Sequence, residues 1–127
     1  MTELSASGGR LPPSGGFELF AWYFMRMSGL VLVFLALGHL VIMHLINTVD
    51  TIDYAFVAAR YARPFWRVYD WLMLTLALLH GLNGARVIVD DYLKGTRRRV
   101  ALGVLSVVGL VFLVVGSLVI LTFQPKG

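Results

Sequence analysis

Cysteine is absent from the 127 residues. That excludes disulfides, thiolate-bound zinc and any iron–sulfur cluster held by this chain's own ligands. Charge is scarce as well. Asp, Glu, Lys and Arg make up 14% of the sequence, against 58% hydrophobic residues and a mean hydropathy of +0.79. A soluble domain of this length does not carry so much apolar sequence with so few charges. The chain therefore reads as an integral membrane protein, and its length allows one compact domain over residues 1–127. The basic residues sit beside apolar runs and form no aromatic-basic binding module, so nucleic acid is not expected as a partner. The three histidines and the few carboxylates are the only candidate metal ligands.

What is present divides into three apolar runs. Residues 1–16 are rich in Gly, Pro and Ser and read as a flexible, solvent-side tail. They lack both the apolar core of a signal peptide and the pattern of a transit peptide, which points to a bacterial membrane protein without a cleaved leader. An aromatic run, Phe17-Glu18-Leu19-Phe20-Ala21-Trp22-Tyr23-Phe24, suits a helix lying at the membrane interface or entering it. Spans are expected at about 25–46, 65–92 and 100–123, each long enough for a hydrocarbon core of ~30 Å. The connection 47–64 has room for a short surface helix over 52–61, and Pro64 fits the first turn of the second span. Gly103, Gly109 and Gly116 lie at roughly helical intervals and favour close packing of the third span.

Lys94-Gly95-Thr96-Arg97-Arg98-Arg99 reads as a short basic loop. The positive-inside rule puts that loop in the cytoplasm, so the N-terminus is expected there and the C-terminus outside, in a bacterial cell membrane. Three spans form an incomplete bundle. The expected fold class is an all-α membrane protein whose three helices pack with a partner membrane subunit.

Polar residues within the spans carry the functional signal, because an ionisable group at membrane depth needs a partner or a task. His80 lies ~18 Å along its helix from Tyr92, near mid-bilayer. A neutral histidine bonded to a neighbouring helix is one reading; an axial haem ligand, with Gly81 and Gly84 admitting the macrocycle, is the other. His39, counted from Arg26, falls ~20 Å deep, close to the level of His80. It is a possible second ligand, a propionate partner or a packed side chain, and His44 is nearer the outer surface. Arg86, Asp90, Asp91 and Tyr92 gather at the cytoplasmic end of the second span, with Asp90 spaced for an ion pair with Arg86. They form either an ordinary interfacial helix end or a quinone headgroup site in which Tyr92 donates to a carbonyl and Asp91 orients it. Arg26 and Ser28 start the first span on the same side, as topology anchor or as neighbours of a propionate or quinone.

Two motifs in this order resemble a known family. They are Arg26-Met27-Ser28-Gly29 at the start of the first span, and His80, Gly84, Asp91 and Tyr92 spaced as His-x3-Gly-x6-Asp-Tyr in the second. Together with three spans, they are similar to the membrane-anchor subunits of succinate dehydrogenase, respiratory complex II, and closest to its smaller, Asp-Tyr-bearing anchor. The resemblance implies His80 as axial ligand of haem b, and Tyr92 with Asp91 at the quinone site. Arg26, Ser28 and the Gly84-x-Arg86 pattern match the companion anchor instead, so the chain mixes features of both. It further implies a haem-binding bundle shared with a second anchor, and a complex with a flavoprotein and an iron–sulfur subunit. Electrons from succinate oxidation in the tricarboxylic acid cycle would then reach quinone in the respiratory chain. The chain would have no succinate chemistry of its own. Alternatives are a quinol:fumarate reductase anchor, a haem-free structural subunit, or a small transporter component, the last disfavoured by a third span without broken helices.

Overall fold

A computed structural model describes residues 15–124. The expected tail, apart from its last residues, lies outside the described residues. Three long helices and one short one follow in order. Helix α1 covers Gly16–Leu40 and runs on through π-type turns over Val41–Ile46; a single 3-10 turn, Val49–Thr51, precedes α2, Tyr54–Tyr61; α3 covers Pro64–Tyr92 and α4 covers Gly95–Thr122. The chain is a multi-pass membrane protein by length and composition. Its three long helices have 31, 29 and 28 residues, or ~42–47 Å at 1.5 Å per residue, more than the hydrocarbon core needs.

Local sequence explains the boundaries. Asp53 caps α2 by accepting from the Phe56 N–H at 2.8 Å, which satisfies one of the first turn's orphan donors. Pro64 occupies the first turn of α3, where a missing N–H costs nothing. Two boundaries differ from expectation. The aromatic run over 17–24 is continuous with the first span, the second of the two placements expected for it, so α1 starts nine residues before residue 25. The basic stretch is no loop: Leu93 and Lys94 make the turn, Gly95 takes φ +60, and Arg97, Arg98 and Arg99 already belong to α4. A positive φ here lets two residues reverse the chain.

Helix α3 is the axis of the bundle, with α1 and α4 both packed against it in antiparallel register. There is almost no apolar core. Among the described residues only Ala21 is a buried hydrophobic side chain, while Phe20, Leu30, Phe34, Leu110, Phe112 and Leu118 all lie open. That inversion is what a helix bundle solvated by lipid tails should show, since hydrocarbon removes the penalty for apolar exposure. Association must then come from close approach and interhelical hydrogen bonds. Gly109 and Gly116 supply the close approach on α4. A Cβ on Gly109 would collide with Leu82 Cδ1, and one on Gly116 would sit 2.6 Å from Leu74 Cδ2. Gly103, the third of the series, faces open space. Trp71 Nε1 donates to Ser117 Oγ at 2.9 Å in the same seam. Arg67 closes the far end, donating to the carbonyls of Leu121, Phe123 and Tyr61 at 3.0, 2.6 and 2.7 Å.

Candidate functional site

The α1–α3 seam is joined at mid-length by a polar pair. Ser28 is buried, 4% exposed, and its Oγ lies 2.8 Å from His80 Nδ1. Which of the two donates depends on the imidazole tautomer. Gly29 completes the contact: an added Cβ would stand 3.2 Å from His80 Cε1, tight enough to displace the ring. One turn along α3, Gly84 is covered by Met25, whose methyl is 3.6 Å from where a Cβ would be, whereas Gly81 meets nothing within 4 Å. The imidazole is thus fixed on its Nδ1 side by α1 and bordered by open backbone at Gly81.

Towards the basic end of the bundle, four charges on three helices interlock. Arg86 donates from both terminal nitrogens to Glu18, at 2.9 and 3.1 Å, and from Nε to Asn83 Oδ1 at 3.1 Å. Asp90 Oδ2 lies 3.5 Å from Arg86, the expected i,i+4 pair, and its other oxygen accepts from Arg98 Nε at 2.7 Å. A bidentate guanidinium–carboxylate contact is both the strongest and the most directional of ordinary ion pairs. Sequence reasoning missed Glu18. The available signal was that this is the one acid in α1, set in an apolar run that obliges it to find a partner.

The remaining candidates separate. Arg26 is exposed and stacks over Trp22 on its own helix, 3.6 Å from the ring centroid. Two residues from Ser28, it points to a different side of α1, so this chain does not bring Arg26 and Ser28 together. Asp91 and Tyr92 end α3, and Tyr92 is 83% exposed, its hydroxyl open to whatever lies beside the helix.

His39 requires a correction. Ser28, not His39, stands opposite His80, and His39 lies eleven residues further along α1, ~16 Å towards the other end. The depth was counted from Arg26, ten residues inside a helix that begins at Gly16. His39 Nδ1 is instead 3.8 Å from Asp70, which is bonded to Arg60 at 2.8 Å. Arg60 is itself 7% exposed and lies over the Trp66 ring at 4.0 Å. Burial first, and Asp70 second, push the Tyr61 hydroxyl above the usual tyrosine range. His44 is exposed in the π-type turns. No three His, Cys, Asp or Glu side chains converge among the described residues.

The chain is similar to known proteins over most of its length. The family model described as succinate dehydrogenase/fumarate reductase transmembrane subunit matches residues 14–119. A succinate dehydrogenase hydrophobic membrane anchor subunit from Archaeoglobus fulgidus is 32% identical over 89 residues, which is 70% of this chain and 75% of that protein. The succinate dehydrogenase 2 membrane subunit SdhC from Mycobacterium tuberculosis is 29% identical over 131 residues, covering 99% of this chain and 89% of the relative.

Proposed function

This chain belongs to the succinate dehydrogenase/fumarate reductase transmembrane subunits, and on that premise we propose that it anchors the complex, ligates haem b and forms part of the quinone site. The observation that carries the reading is the Ser28–His80 contact at 2.8 Å. A ligating imidazole needs its second nitrogen held by a hydrogen bond, which selects the tautomer and aims the ring. With Nδ1–H donated to Ser28 Oγ, Nε2 is the free ligand atom, and Gly81 leaves room beside it. The residues therefore fit the group. When bound, haem b would supply one-electron storage within the membrane, held on this chain by His80 and elsewhere by a partner anchor.

Tyr92 and Asp91 serve a different depth. Quinone becomes quinol by taking two electrons and two protons, and the wet end of α3 is where protons are available. Tyr92 O–H donates to a quinone carbonyl, and the Asp91 carboxylate orients that hydroxyl and passes on the proton. The flavoprotein and iron–sulfur subunits would dock at this same, basic, cytoplasmic end. Arg86 is bound on both faces by Glu18 and Asp90, so its part is to fix the helix end rather than to hold the quinone. The same groups act in reverse for a quinol-oxidising fumarate reductase, as microscopic reversibility requires.

Optical spectroscopy of the purified complex tests the haem assignment. His80→Ala should lose the reduced-minus-oxidised b-type signal; a full signal in that variant refutes it. Tyr92→Phe should lower quinone reduction about a hundredfold, the low end for a positioned proton donor, while succinate oxidation with an artificial acceptor stays at the wild-type rate. Unchanged quinone turnover refutes the tyrosine's role.

A further inference from the structure

Helices α1 and α4 flank α3 without closing over it, and at the basic end they leave a groove on the face of α3 that carries Leu82 and Arg86. Its cavity has a volume of about 420 Å³. Phe17, Phe20 and Phe24 form one wall, Leu79 and Leu82 the floor, and Leu105 the other wall. The mouth is cationic. Arg98 lies on the same face of α4 as Leu102 and Leu105, one turn nearer the helix start, and it engages Asp90 through Nε alone, at 2.7 Å. Arg86 and Arg98 are partly offset by Glu18 and Asp90, and Lys94, Arg97 and Arg99, close by in the chain and all exposed, leave the balance positive.

Size and charge choose among occupants. A quinone headgroup would find its candidate donor, Tyr92, elsewhere: at 100° per residue Tyr92 lies ~120° round α3 from Arg86. An acyl chain is thin enough to enter and apolar enough to match the lining. A phosphate above it meets the basic cluster, and juxtamembrane Lys/Arg clusters attract anionic lipid by about 1 kcal/mol per residue. We propose that this groove binds one anionic phospholipid of the leaflet at the basic end, with an acyl chain along the three phenylalanines and its phosphate on Arg98.

The proposal is independent of the haem and quinone assignments. The test uses the complex purified with its partner subunits, equilibrated in nanodiscs containing phosphatidylglycerol and phosphatidylcholine, then exchanged into detergent so that retained lipid can be counted by mass spectrometry. Wild type should retain phosphatidylglycerol in preference to phosphatidylcholine. Ser106→Phe, which fills the groove from α4, should reduce retention at least fivefold, and Leu105→Trp is a second filling variant should the first fail to assemble. Arg98→Gln should keep a bound lipid but lose the preference for phosphatidylglycerol about tenfold. Equal retention of both lipids by wild type, or unchanged retention in the filled variants, overturns the proposal. So does loss of co-purified quinone, or of a partner subunit, on filling, because the groove would then be a quinone site or a subunit interface.

Discussion

A hydroxyl and an imidazole meeting across two helices set an exacting demand in this protein, because Ser28 is buried and its Oγ lies 2.8 Å from His80 Nδ1. Ser28→Ala should leave the fold intact and weaken haem binding by 10–100-fold, the usual cost of removing a ligand's hydrogen-bond partner. Haem titration of the purified complex measures it; unchanged affinity would mean that Ser28 only packs. His80 was legible in the sequence because a histidine in an apolar span is expensive. Its partner was legible only as a motif letter, since a serine costs little at any depth and announces nothing. Glu18 was hidden for the opposite reason. It sits where aromatics dominate, and only the fold reveals that Arg86, sixty-eight positions away, neutralises it.

Among elements, the α3–α4 seam depends on glycine. Gly109 is buried, and three side-chain atoms of Leu82 lie within 3.0 Å of the place where its Cβ would be. Gly109→Leu should therefore cost about 1–3 kcal/mol by overpacking, read as a lower thermal midpoint of the complex in detergent. Adding Leu82→Ala should recover part of the loss, and a double variant no better than the single would argue against this contact. The three long helices were readable from hydropathy alone, and α2 from the punctuation around it. Their ends were not. Aromatic residues extend a helix into the interface as readily as they lie upon it, and a basic run is helical or looped depending on the turn before it. Gly95 decides that turn. The start of α1 then shifted every depth counted from Arg26, which is why His39 and His80 fell on one level in the sequence and ~16 Å apart in the helices.

For the molecule as a whole, stability resides in polar fastenings more than in a core. At the end remote from the basic cluster, Arg60 and Asp70 form a pair with side chains 5% and 12% exposed. Removing one partner of such a pair strands the other, at about 3–5 kcal/mol. Asp70→Asn should accordingly lower the thermal midpoint more than Arg60→Met combined with Asp70→Leu, which removes both charges. The reverse order would assign the stability to packing. Tyr61, neutral in the same cluster, does not alter this near neutral pH. Its hydroxyl is raised, so the stability from the neutral form is complete below the ordinary tyrosine pKa and is lost only as pH climbs through the raised one.

The arginine that ends the α3–α4 seam has a consequence for how the protein is made. Arg67 lies near the beginning of α3, yet two of its three acceptors, the Leu121 and Phe123 carbonyls, come 54 and 56 residues later in the chain. Until α4 has crossed, that guanidinium has only the Tyr61 carbonyl as acceptor. The order of membrane insertion follows: a chain stalled before α4 has crossed displays a cation with two of its three acceptors still missing.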